Sequence, residues 1–130
     1  MFENLDIFKM ASGLARHAVT RQEAVAKNIA NADTPGYRAQ DVASFEEAYE
    51  SNTANTAMRT TREGHMVSAA SENTNGFRLF DTPGPSSPNG NTVSLETEMM
   101  KSSQVRHEHD LALSVYKTSM NILRTSIGRR

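Results

Sequence analysis

The stretch "NIANADTPGY", residues 28–37, closes a run of helical character with a stop that few residue types can form. Pro35 and Gly36 stand at the central positions of a four-residue turn. Pro presets φ at about −65° and Gly accepts positive φ without a Cβ penalty, the pairing a type II turn requires. Thr34, just before the proline, is driven to extended backbone, so the helix must stop before it. Asn28, Asn31 and Asp33 are short polar residues able to satisfy the carbonyls and amides freed at a helix end. Together with Tyr37 they make a candidate turn motif, a rigid stop that aims the chain in one direction. A shortened echo, "DTPG", returns at residues 81–84.

Upstream of the stop, Phe8, Ala11, Ala15, Ala18, Gln22, Val25 and Ile29 recur in alternating steps of three and four, and Leu14 broadens the stripe. That spacing predicts a helix with a coiled-coil-like seam. Alanine at three successive seam positions lets a partner backbone come close. Gly13 inside the run costs about 1 kcal/mol relative to Ala.

The other end of the chain repeats the pattern. Leu95, Met99, Ser102, Arg106, His109, Leu113, Tyr116, Met120, Leu123 and Ile127 follow in steps of four and three, apolar at both ends of the seam and polar in the middle. Ser94 is the expected N-cap, Glu96 and Glu98 suit the positive end of the helix dipole, and Arg124, Arg129 and Arg130 suit the negative end. A helix of this length is about 50 Å long at 1.5 Å per residue, too long for a compact ball of this size. Leu111, Val115 and Ile122 lie off the seam, so the C-terminal helix offers a second apolar surface that another subunit must cover.

Between the helices, residues 51–92 consist mostly of Ser, Thr, Asn, Gly and Pro. Such a segment buries too little surface to offset its ordering entropy, and a flexible loop with a few short strands around "NGFRLFDTPG" is expected. The chain therefore divides into an N-terminal axial helix (1–34), a turn and extended exit segment (35–50), a flexible central region (51–92) and a C-terminal axial helix (93–130). The fold class is mainly α: an elongated pair of terminal helices with a flexible or weakly β centre.

Composition narrows the function. Hydrophobic residues are 37% of the 130-residue chain and mean hydropathy is −0.58, so neighbouring subunits are expected to supply part of the core. A formal net charge of −1 gives no electrostatic case for nucleic acid or anionic membrane. Without cysteine there is no disulfide framework, thiolate metal site or Cys nucleophile. The N-terminus "MFENLDIFKM" has neither the basic nor the apolar region of a cleavable signal peptide, and no apolar run approaches a membrane span.

Two longer stretches carry a family resemblance. "RQEAVAKNIANADTPGYRAQDVASFEEA", residues 21–48, resembles the N-terminal signature of the flagellar axial proteins of rod and hook, and is most similar to the basal-body rod members. "GNTVSLETEMMKSSQ", residues 90–104, resembles the family's entry into its C-terminal helix, departing from it at Ser94 and, further on, at Val105 and His109. The resemblance implies a structural subunit of the proximal flagellar rod, with the terminal helices lining the export channel and transmitting torque. It implies a periplasmic position in the basal body, reached through the flagellar type III export apparatus without cleavage. The implied partners are the rod proteins FlgC and FlgF, the adaptor FliE, the export gate and further copies of the chain. On this reading the assembly seam is Phe8, Ala11, Leu14, Ala15, Ala18, Val25 and Ile29 on one helix, with Leu95, Met99, Leu113, Tyr116, Met120, Leu123 and Ile127 on the other.

Catalytic readings are weaker. In "HEHD", residues 107–110, positions two apart on a helix lie about 200° apart and cannot share an ion, and His107 with Asp110 gives only two ligands. "SVYK", residues 114–117, fits the S-x-x-K of serine acyl enzymes but lacks the companion motifs. No phosphate-binding Gly-rich loop is present. A non-enzymatic protein without cofactor, metal or small-molecule substrate is expected; the competing reading is a cytoplasmic helical adaptor that binds a partner coiled coil.

Overall fold

The computed structural model describes residues 2–54, 77–82 and 84–128. In chain order the elements are α1 (Phe2–Ala30), β1 (Gln40–Val42), α2 (Phe45–Ala54), β2 (Leu79–Asp81) and α3 (Leu95–Ile127). The architecture is mainly helical, with long N- and C-terminal helices and, among the described residues, one small sheet. Most of the central region, residues 55–76, for which a flexible loop was expected, lies outside the described residues. No helix among the described residues is long and apolar enough to cross a membrane.

The two long helices run antiparallel. Phe8 near the start of α1 meets Tyr116 late in α3, edge to face with ring centroids 5.2 Å apart. Gln22 donates to Ser102 at 3.1 Å, and Asn28, near the end of α1, donates to Glu98 in the first turns of α3 at 3.0 Å. The apolar residues buried along this seam are small: Ala11, Ala18 and Val25 from α1, Val105 and Ala112 from α3. Small side chains let the backbones approach, and dispersion gains then come from helix surface against helix surface.

α1 stops at Ala30 and residues 31–36 form turns. Asn31 helps end the helix: its N–H donates to the carbonyls of Lys27 and Asn28, and its side-chain amide donates again to Lys27 at 2.8 Å. The Tyr37 N–H then donates to the Thr34 carbonyl at 3.3 Å, and Gly36 has φ +73°, the bond and the dihedral a type II turn needs. Beyond the turn, β1 pairs antiparallel with β2, Asp41 opposite Phe80. The echo "DTPG" thus begins inside the small sheet, at Asp81 opposite Gln40.

α2 lies over α1. The Phe45 ring sits 3.4 Å from where a Gly13 Cβ would be, an ordinary contact distance that an alanine would also fit. His17 is buried between Phe45 and Phe77, and its Nε2–H donates to the Ala43 carbonyl at 2.7 Å. These contacts fix the segment from β1 into α2 against α1.

Candidate functional site

Residues from both sequence signatures converge at one end of the helix pair. Asn28, one turn before α1 ends, is fully enclosed at 0% exposure. Its side-chain amide donates to the Gln40 carbonyl at 2.7 Å and to the Glu98 carboxylate at 3.0 Å. Its Oδ1 accepts from the Gln40 N–H at 3.0 Å and from the Tyr37 hydroxyl at 3.3 Å. One side chain therefore joins α1, the exit segment, β1 and α3.

Asn91 does the same from the opposite direction. Its side-chain nitrogen lies 2.9, 2.8 and 2.9 Å from the carbonyls of Asn31, Ala32 and Thr34, all in the turn that follows α1. Its Oδ1 accepts the Val93 N–H at 2.7 Å. The segment just after it runs beside the exit from α1: Thr92 donates from its N–H to the Tyr37 carbonyl and accepts the Ala39 N–H on its hydroxyl. The Gly36 N–H donates to the Asn89 carbonyl at 3.0 Å, bringing the two glycine turns, Gly36 and Gly90, into contact.

An ionic chain extends the joint along the helices. Lys101 bridges Glu98 at 3.1 Å and Asp41 at 3.0 Å, and Arg21 bridges Asp41 at 3.2 Å and Glu108 at 3.3 Å. Burial acts on Asp41 to raise its pKa. The hydrogen bond from Lys101, the Val42 N–H and the Arg21 charge outweigh it, and the carboxyl is held below the usual carboxylate range. Burial likewise acts to depress Lys101, but hydrogen bonds to Asp41 and Glu98 outweigh it and the ammonium is held above the usual lysine value. With each charge partnered, the cluster ties three elements together, and removing one member would leave the others buried and uncompensated.

The turn motif divides in this geometry. Asn28 and Tyr37 point into the joint, Asn31 and Thr34 bond to each other and supply carbonyls to Asn91, and Asp33, Pro35 and Gly36 are exposed. The candidate seam divides as well. On α1, Ala11, Ala18 and Val25 are buried, Phe8, Leu14, Ala15 and Gln22 half-buried, and Ile29 exposed. On α3, Ser102, His109 and Leu123 are half-buried, while Leu95, Met99, Leu113, Tyr116, Met120 and Ile127 keep much of their surface in solvent, Met99 at 62% and Ile127 at 81%. The residues buried on α3 are Glu98, Val105 and Ala112, each one position before Met99, Arg106 and Leu113. Ser94 stands at the N-cap, although its side chain makes no capping bond to the backbone and instead accepts from the Thr97 hydroxyl.

Arg21, Asp41, Asn91, Glu98 and Lys101 carry the joint, and hydrophobic periodicity does not single out any of them. A different signal was present: all five fall inside the two family-like stretches, 21–48 and 90–104. Among the described residues no group of three or more His, Asp or Glu side chains is arranged to hold a metal ion. The arrangement fastens and aims helices.

Residues 11–38 match the family model described as "Flagella basal body rod protein". The chain is 32% identical to flagellar basal body rod protein FlgB of Agrobacterium fabrum, in an alignment covering 96% of this chain and 95% of that protein. It is 32% identical to FlgB of Salmonella typhimurium, over 79% of this chain and 82% of the relative, and 30% identical to FlgB of Escherichia coli K12, over 81% and 83%.

Proposed function

The chain belongs to the FlgB family of flagellar basal body rod proteins and is a structural subunit of the rod, and from that premise we propose how its parts serve there. The helix pair forms the channel-side layer of the proximal rod and lines the export channel. The joint around Asn28 and Asn91 fixes the angle at which the chain leaves this layer, and the rod passes torque through stacked pairs. The subunit acts without catalysis. It crosses to the periplasm by flagellar type III export without a cleaved leader. Its neighbours are copies of itself, the rod proteins FlgC and FlgF, FliE and the export gate.

The observation that carries this reading is a mismatch between how firmly the pair is fastened at one end and how much apolar surface it leaves uncovered. Leu111, Val115 and Ile122 stand 51%, 39% and 59% exposed on one stripe of α3. A helix face so apolar is covered by another subunit in a working assembly. Substituting Leu111 and Ile122 together by Ser leaves the intramolecular joint intact and removes the proposed intersubunit contact.

The test is fractionation of cells with active flagellar secretion, combined with electron microscopy of isolated basal bodies. The double variant is expected outside the cytoplasm as soluble protein, with rods absent. Intact rods containing it would remove the stacked-pair reading. Retention of both parent and variant in the cytoplasm would favour the adaptor reading instead.

A further inference from the structure

The loop that carries Asn91 into place also holds a reactive dipeptide. We propose that Asn89 is a self-modifying site: in the folded chain its side-chain amide is lost through attack by the Gly90 backbone nitrogen, and the product unseats Asn91 from the end of α1.

Asn89 is an exposed turn residue followed by Gly90, whose φ is +79° and whose nitrogen no neighbouring side chain of its own residue shields. The Asn89 Oδ1 accepts the Asn91 N–H at 3.0 Å. The ring closed by this bond contains both the Asn89 Cγ and the Gly90 nitrogen, so the side chain is folded back over the peptide that would attack it. The same N–H sits on the oxygen that becomes negative when Cγ is attacked, where a fixed donor stabilises an oxyanion. The Gly90 N–H donates to the Ser87 carbonyl at 2.8 Å. That bond fixes the plane of the 89–90 peptide, and it must open before base can take the Gly90 proton.

In the reaction the bond to Ser87 opens, and the Gly90 nitrogen gives its proton to hydroxide or a buffer base and forms a bond to Cγ. The Cγ–Nδ2 bond breaks, ammonia leaves with a proton taken from water, and a five-membered imide remains. Water then adds to one of the two imide carbonyls. Opening between Cγ and nitrogen leaves Asp; opening between the main-chain carbonyl carbon and nitrogen leaves isoaspartate, with the chain now running through Cβ and Cγ. One water is consumed and one ammonia released, without any oxidant or reductant.

Isoaspartate changes this corner in two ways. The carbonyl that accepts the Gly36 N–H at 3.0 Å becomes a free carboxylate, and the main chain gains a carbon just before Gly90. The three bonds from Asn91 to the carbonyls of Asn31, Ala32 and Thr34 then lose their register. The new negative charge also sits near the negative end of α1.

The experiment incubates the full chain in mildly alkaline buffer enriched in oxygen-18 water, once folded and once in concentrated urea, followed by peptide mapping and isoaspartyl methyltransferase labelling. Residue 89 is expected to take up label faster in the folded chain, with a rate that rises with pH. A folded-chain rate equal to or below that in urea overturns the proposal. Asn75, also followed by glycine, serves as the comparison within the same digest. Asn89→Gln, which would have to form a larger ring, is expected to stop labelling at 89 and leave Asn75 unaffected. Amide exchange on the modified fraction should show lost protection across residues 28–40. Isoaspartate at 89 with that protection unchanged would overturn the unseating.

Discussion

Asn28 and Glu98, 70 positions apart in sequence, face each other across the helix pair at 3.0 Å with almost no solvent access to either. A neutral amide holds one carboxylate oxygen while Lys101 holds the other, so the carboxylate enters the interior with both oxygens engaged. The rest of the joint is organised around this contact.

Asn28→Ala should therefore cost far more than the loss of a small side chain. It strips partners from the Gln40 amide and carbonyl and from the Glu98 carboxylate. Unmade buried hydrogen bonds cost about 1 to 3 kcal/mol each, and a total loss of roughly 2 to 5 kcal/mol is expected. Asn28→Asp should be no better, because a carboxylate cannot donate to Glu98. Urea unfolding followed by helical circular dichroism measures both; a loss under about 1 kcal/mol for Asn28→Ala would contradict the assignment.

The ionic chain sets the pH window. The Asp41 carboxyl is lowered on folding, so its contribution is present above the unfolded value, about pH 4, and is lost as pH falls through the depressed folded value. Lys101 is raised on folding; its contribution is complete below about pH 10 and is lost as pH rises through the elevated folded value. Stability of the parent should fall at both extremes. In Asp41→Asn the acid limb should flatten, and equal acid sensitivity in parent and variant would show that Asp41 is not its source.

At Gly36 the penalty should be one of dihedral angle alone. Its φ is +73°, yet nothing lies within 4 Å of an added Cβ. Gly36→Val is expected to cost about 1 to 3 kcal/mol through strain, whereas Gly36→Asn, which tolerates that region, should cost much less. Thermal unfolding separates them, and equal losses would indicate a steric cause.

Small residues hold the helices close. Ala18 is buried at 1% exposure, and Ala18→Leu should force the backbones apart at a cost of about 1 to 3 kcal/mol. Leu113, at 39% exposure, lies at the shoulder of the seam, and Leu113→Ala should cost the isolated chain less than the 2 to 5 kcal/mol of a fully enclosed leucine. Paired denaturation curves test the order; a reversal would place Leu113 inside the contact and Ala18 outside it.

Local sequence alone determined that two long helices bracket a polar centre, that the first ends ahead of Pro35, and that alanine lines its seam. These are local properties: spacing near 3.6 residues, proline sterics and the freedom of glycine act within a few residues of one another. Only the tertiary structure decided which of two adjacent α3 residues turns inward. Ranking by hydrophobicity selects Met99 over Glu98 and Leu113 over Ala112, but Glu98 and Ala112 are the buried members. Against the alanines of α1 the gap admits an alanine more readily than a leucine, and beside Asn28 and Lys101 it rewards a carboxylate over a thioether. That preference belongs to the facing helix, as does the inward position of Asn91, whose three acceptor carbonyls lie some sixty residues earlier in the chain.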